Sequence, residues 1–122
     1  VEPDSPNAYK FETFIFDALR FAEHPPVALE ISPPGEYTPI KSFSGENSVE
    51  QAWATMREYW ARWLEAAGAH IPRDAAGKVT IAIEISPQFA LTQEEFLKKT
   101  TGCTWPREGD IALDAQGNLL TG

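Results

Sequence analysis

An α/β chain of the α+β kind, helical early and strand-and-turn later, is the fold class that this sequence predicts, and three observations predict it. A capped apolar stripe runs from Ser48 to Gly68 at helical spacing. The stretch 79–85 alternates apolar and polar residues, and Ile111 to Leu120 reads as two short apolar runs around a polar, glycine-bearing turn. Composition permits such a fold: 122 residues, 43% hydrophobic and 11% aromatic, can fill one modest core and argue against disorder.

Taken in chain order, Pro3, Pro6 and Asn7 form a loop. Phe11, Phe14, Ile15, Ala18, Leu19 and Ala22 then recur at helical spacing and predict a helix over 9–22, stopped by Pro25-Pro26, with Phe11 and Phe14 on its core face and Phe16 off it. Val27, Leu29 and Ile31 share one face of an expected short strand, which Ser32-Pro33-Pro34-Gly35 turns. A polar connection over 36–47 follows and carries Lys41 and Gly45, long enough to be functional.

Ser48-Val49-Glu50-Gln51 fits a capping box, in which the hydroxyl accepts from an orphan N–H while Gln51 reaches back. Trp53, Met56, Trp60, Trp63, Leu64 and Ala67 line one stripe of the helix it opens, and Gly68 stands where a left-handed cap closes it. So much tryptophan demands a broad partner, for which the first helix and the strand over 27–31 are the expected surface. From Asp74-Ala75-Ala76-Gly77 onward the texture changes, and the candidate boundary lies between Gly68 and Gly77. Val79, Ile81, Ile83 and Ile85 make a half-buried strand that Pro87 ends; Thr92 to Glu95 cap a short helix that ends by Gly102; and Asp114-Ala115-Gln116-Gly117-Asn118 joins a hairpin.

A net charge of -8 lacks the clustered Lys and Arg that meet a phosphate backbone, which argues against nucleic acid as a partner. Cys103 is the single cysteine, so no internal disulfide forms, no paired spacing suggests zinc, and the cytoplasm is the expected compartment. No apolar run approaches the roughly 20 residues that cross a bilayer, so no membrane partner is expected. Opening at Val1-Glu2-Pro3 without a methionine, the chain reads as an excised piece of something longer. His24 and His70 stand singly, Asp17 is a lone carboxylate, and Glu84 is the polar face of its strand; all four read as structural or surface groups.

Two segments combine groups that suit a phosphorylated sugar. Lys10-Phe11-Glu12-Thr13-Phe14-Ile15-Phe16-Asp17 is rich in aromatics that can wall a sugar, and Tyr37-Thr38-Pro39-Ile40-Lys41 sets a compact cation on a proline-stiffened turn. Alone, each has a plainer reading: Lys41 as a solvated loop lysine, Phe14 as core, Lys10 and Glu12 as charges at a helix start. These two blocks, followed by a long helix ending Ala66-Ala67-Gly68 and then by Glu84-Ile85-Ser86-Pro87, resemble in order and spacing the C-terminal part of the UDP-N-acetylhexosamine and UDP-sugar pyrophosphorylases.

The resemblance, good over about 7–90 and weak beyond, implies the end of a Rossmann-like nucleotidyltransferase catalytic domain over 1–68 and a small β-rich segment over 69–122. It implies a Mg²⁺-assisted uridylyltransferase that joins UTP and a sugar 1-phosphate into a UDP-sugar and pyrophosphate, the sugar being glucose, galactose or an N-acetylhexosamine. By the same resemblance Lys41 takes the place of a phosphate-contacting lysine and Phe14 and Phe16 border the sugar; Lys10 and Glu12 are assigned a secondary role beside them, as a salt-linked helix start that orients that wall. Ser42 departs from the family's Ser-Pro-Leu-Lys-Asn block, and the Gly-rich loop that cradles UTP is absent, which implies an inactive fragment with most metal ligands elsewhere. The alternative is a non-catalytic acidic interaction module that docks a partner through its Trp-striped helix.

Overall fold

The computed structural model describes residues 8–9, 11–31 and 33–120, and the chain divides into two units, Val1–Ile31 and Ser32–Gly122, each taken by itself. The second is a small α+β domain. Its order is α1 (Pro33–Glu36), α2 (Val49–Ala66), β1 (Ile83–Ile85), α3 (Gln93–Lys99), β2 (Ile111–Leu113) and β3 (Leu119–Leu120).

The caps of α2 are those its sequence specifies. Ser48 has extended backbone and its Oγ accepts from the Gln51 N–H at 3.2 Å, while Gln51 Oε1 accepts from the Asn47 N–H at 2.6 Å. At the far end Gly68 takes φ +86, and the N–H groups of Gly68 and Ala69 donate to Glu65 and Leu64 carbonyls at 3.0 and 2.9 Å. That pair of bonds is a Schellman motif, which satisfies carbonyls a helix end would leave orphaned.

The sheet runs β1-β2-β3, with β1 parallel to β2 (Ile83 opposite Ile111, Ile85 opposite Leu113) and β2 antiparallel to β3. A parallel pair needs a long crossover, and α3 lies within it. Thr92 caps α3, its Oγ1 accepting from the Glu95 N–H at 3.2 Å. Ile83, Ile85, Ile111 and Leu113 point to one face, against Trp63 and Leu64 of α2 and Phe96 of α3. Phe96 is fully buried among the rings of Trp63, Phe89 and Trp105, at centroid separations of 5.7, 6.1 and 5.9 Å. Burying one such ring contributes roughly 1.5–3 kcal/mol. The Trp105 indole N–H donates to the Ala67 carbonyl at 3.0 Å, so the crossover is tied to the end of α2.

Two turns share one hydrogen-bond scheme. In 74–78 the Asp74 carboxylate accepts from the N–H groups of Ala76 and Lys78, both at 2.9 Å; in 114–118 Asp114 accepts from Gln116 and Asn118, both at 2.8 Å. Gly77 and Gly117 supply the left-handed residue, at φ +80 and +83. The first turn is fastened to α2 by Arg73, whose guanidinium forks onto both Glu58 oxygens at 2.9 and 3.0 Å and meets Glu65 Oε1 at 3.0 Å. Bonding to Glu58, and then to Glu65, raises the Arg73 pKa further above its ordinary value.

Three expectations are corrected. The helix over 9–22 is only a 3₁₀ helix, Ile15–Phe21, with no buried residue, and Phe11 and Phe14 are exposed. A helix gains most of its stability from a packed face, and this aromatic, β-branched segment has none within its unit and little propensity of its own. The stretch 27–31 has no regular secondary structure and joins no ladder, and Val27 and Leu29 stay exposed, since a strand without a partner leaves its backbone polar groups to water. The strand over 79–85 shortens to Ile83–Ile85, with Val79 in a lone bridge to Arg73 and the Ala82 N–H given to Asp110 Oδ1 at 2.7 Å. On α2, the buried part of the tryptophan stripe lies at Trp63 and Leu64 and meets β1 and α3, whereas Trp53 is 63% exposed. Among the described residues no helix is long and apolar enough to cross a membrane.

Candidate functional site

Lys41 stands at the neck of a loop closed upon the start of α2. Its N–H donates to the Asn47 carbonyl at 2.7 Å, the Ser42 N–H donates to the same oxygen at 3.0 Å, and Ser42 bridges to Ser48. Gly45 at φ +75 and Asn47 at φ +59 reverse the chain between them. Asn47 is the one non-glycine with positive φ among the described residues, a conformation Asn tolerates better than most. Ser48, 1% exposed, roots the loop in the domain, so the backbone of Lys41 is fixed while its side chain is exposed. No described residue bonds or pairs with the Lys41 ammonium, which leaves its donors for an anion.

The other expected site residues lie in the first unit. Phe14 precedes the 3₁₀ helix in extended conformation and Phe16 lies in its first turn, each 70% exposed. The Phe14 carbonyl accepts from the Asp17 N–H at 3.1 Å, and Asp17 pairs with Arg20 at 3.4 Å, as a local surface pair. Glu12 is exposed, and Lys10 lies outside the described residues. Phe14 and Phe16 thus share one turn, and Lys41 belongs to the separate second unit.

The second unit also holds an open groove of about 890 Å³ between α2 and the sheet, where Trp53, Met56 and Trp60 face Ala112 and Leu120, with Arg57, Glu84 and Asp110 as polar groups. A smaller recess of about 240 Å³ lies where Tyr37 and Thr38, just ahead of Lys41, meet Met56 and Tyr59 of α2. For the implied Mg²⁺, the described residues are a poor fit: no three His, Cys, Asp or Glu side chains converge on one point. Two carboxylates sit below their usual range, Glu95 through Lys99 and the Leu91 N–H, and Asp114 through Asn118 and neighbouring N–H groups. Both serve helix and turn geometry. Sequence reasoning missed Asn47; the signal present was an Asn directly before a capping Ser.

No protein-family model matches the chain, and no solved structure matches it. Curated relatives do. A human protein named UDP-N-acetylhexosamine pyrophosphorylase-like protein 1 is 32% identical over 108 residues, covering 77% of this chain and 21% of the relative. Its Xenopus tropicalis namesake is 31% identical over 88 residues, covering 70% of this chain and 17% of the relative. A Dictyostelium discoideum protein named "Probable UDP-N-acetylglucosamine pyrophosphorylase" is 33% identical over 95 residues, covering 75% and 18%. The chain therefore belongs to the UDP-N-acetylhexosamine pyrophosphorylase family, and its match spans about a fifth of the length of these relatives.

Proposed function

We propose that this chain is the C-terminal part of a uridylyltransferase that joins UTP and a sugar 1-phosphate into a UDP-sugar. The observation that carries the reading is the similarity, over 77% of the chain, to a relative with a pyrophosphorylase name. In the reaction a phosphate oxygen of the sugar 1-phosphate attacks the α-phosphorus of UTP; the bond from that phosphorus to the bridging oxygen breaks, and pyrophosphate leaves with the electron pair. Charge accumulates on the phosphorus oxygens, so catalysis is won by positioning and neutralisation.

Lys41 supplies one cation to those oxygens, as a single point charge on a fixed backbone. Phe14 and Phe16 wall the sugar, whose C–H faces and any N-acetyl methyl suit exposed rings. Lys10 and Glu12 hold that wall in orientation. Residues 1–68 then belong to the end of a Rossmann-like catalytic domain, and 69–122 form the β-rich segment packed on its last long helix. Since the described residues form no metal cluster, bound Mg²⁺ would take most of its protein ligands from outside them. The single exposed thiol of Cys103 fits a reducing compartment, the cytoplasm.

The exposure of Trp53 and Met56 favours a second reading, a non-catalytic module that docks a partner by α2. One experiment separates the two. The complete protein that contains this chain is assayed with UTP and a panel of sugar 1-phosphates, scored by pyrophosphate release. Turnover with any of them supports the transferase; none, with properly folded protein, leaves the module. This chain alone should be inactive in the same assay.

A further inference from the structure

We propose that Asn47 and Gln51 are positioning residues for Lys41, a reading that rests on the phosphate role of that lysine. The ammonium has no partner of its own among the described residues, so the backbone is the anchor of this flexible side chain. That backbone hangs on one atom. The Asn47 carbonyl takes the N–H groups of both Lys41 and Ser42, at 2.7 and 3.0 Å.

The carbonyl can face them only because Asn47 adopts φ +59, and that conformation is held by a second bond, from the Asn47 N–H to Gln51 Oε1 at 2.6 Å. Gln51 is in turn held by its own N–H on Ser48 Oγ at 3.2 Å, at a residue only 1% exposed. The chain of bonds runs from the buried cap of an 18-residue helix to the lysine in three steps. Phe43, at the loop's outer side, is fully exposed and lends no packing, so the neck bonds carry the order. The capping box thus serves as a mount as well as a helix start. Displacing a catalytic group by about 1 Å can cost on the order of a hundredfold in rate, so loosening this mount should be visible in turnover.

The test uses the complete protein with UTP and a hexosamine 1-phosphate. Gln51→Leu keeps the volume and removes the acceptor; kcat is expected to fall by about tenfold with little change in KM, the pattern of a lost transition-state contact. Gln51→Glu restores the acceptor and should recover most of the turnover. Asn47→Val, which resists positive φ, should behave as Gln51→Leu does, and Asn47→Gly should be far milder. In a Lys41→Ala background Gln51→Leu should have no further effect. Multiplicative losses in the double variant, or a large Lys41→Ala loss beside an unaltered Gln51→Leu enzyme, would overturn the mount. Unchanged turnover in Lys41→Ala would instead sink the role of the lysine itself. If Gln51→Leu fails to fold, Asn47→Gly against Asn47→Val decides the question.

Discussion

The Lys41 N–H and the Asn47 carbonyl, 2.7 Å apart, close a loop that fixes the backbone of Lys41 next to the N-terminus of α2. The lysine is thus exposed in its side chain and ordered in its backbone, and its proposed contact with phosphate has a direct test. Its removal should be read in rate.

On the proposed transferase reading, replacing Lys41 with Ala in the complete protein is expected to lower kcat by about a hundredfold, as for loss of one charge contact to a transition state. Steady-state kinetics at saturating UTP and sugar 1-phosphate would check it. A variant as fast as the parent would remove Lys41 from the mechanism.

Phe16→Ala should raise the KM for sugar 1-phosphate, by roughly tenfold, and leave that for UTP nearly unchanged. Because Phe16 is 70% exposed in its own unit, the substitution opens no cavity there. Equal changes in both constants would indicate that the ring acts through packing.

Gly117→Ala should destabilise the second unit by about 1–3 kcal/mol. A Cβ at Gly117 would stand 2.4 Å from Phe89 Cε2, and its φ of +83 already disfavours a side chain. Urea denaturation followed by tryptophan fluorescence measures the loss. An unshifted midpoint would mean that Phe89 swings aside freely.

Acid should weaken the fold through Asp114 and Glu95. The Asn118 side chain and nearby N–H groups hold Asp114 below the ordinary aspartate value of 3.8, and Lys99 with the Leu91 N–H holds Glu95 below the ordinary glutamate value of 4.5. Folded values lower than unfolded ones mean that the unfolded chain binds protons first. The stabilisation is therefore complete above about pH 5 and is lost as pH drops through the folded values. Asp114→Ala should flatten the acid limb of a stability–pH curve, and an identical limb would contradict the assignment.

Where local chemistry decides structure, the sequence was readable. Ser48 with Gln51, Gly68, Thr92 with Glu95 and the 114–118 turn all formed as their residue types require, because each needs only neighbours within a few positions. The parallel pairing of β1 with β2 was not legible: the partners stand 28 positions apart, as Ala82 and Asp110 do, and periodicity carries no information on which strands pair. The segment 9–31 misled for a related reason, since spacing shows which face could pack and says nothing of a surface to pack on. Lys41 was visible as a loop cation, but the expected turn over 37–41 does not form; the chain reverses later, at Gly45 and Asn47, and the fastening at Asn47 depends on a backbone angle that residue type only permits.

The crossover between the first two strands bears on how the polypeptide is made. A ribosome that has just released Ile85 has not yet supplied Ile111, so the inner isoleucines of the nascent chain await their neighbour until the α3 stretch has emerged. Products cut short before residue 111 should clump, whereas those extended past Leu120 stay dispersed; light scattering of nested truncations, with no difference across that point, would refute the idea.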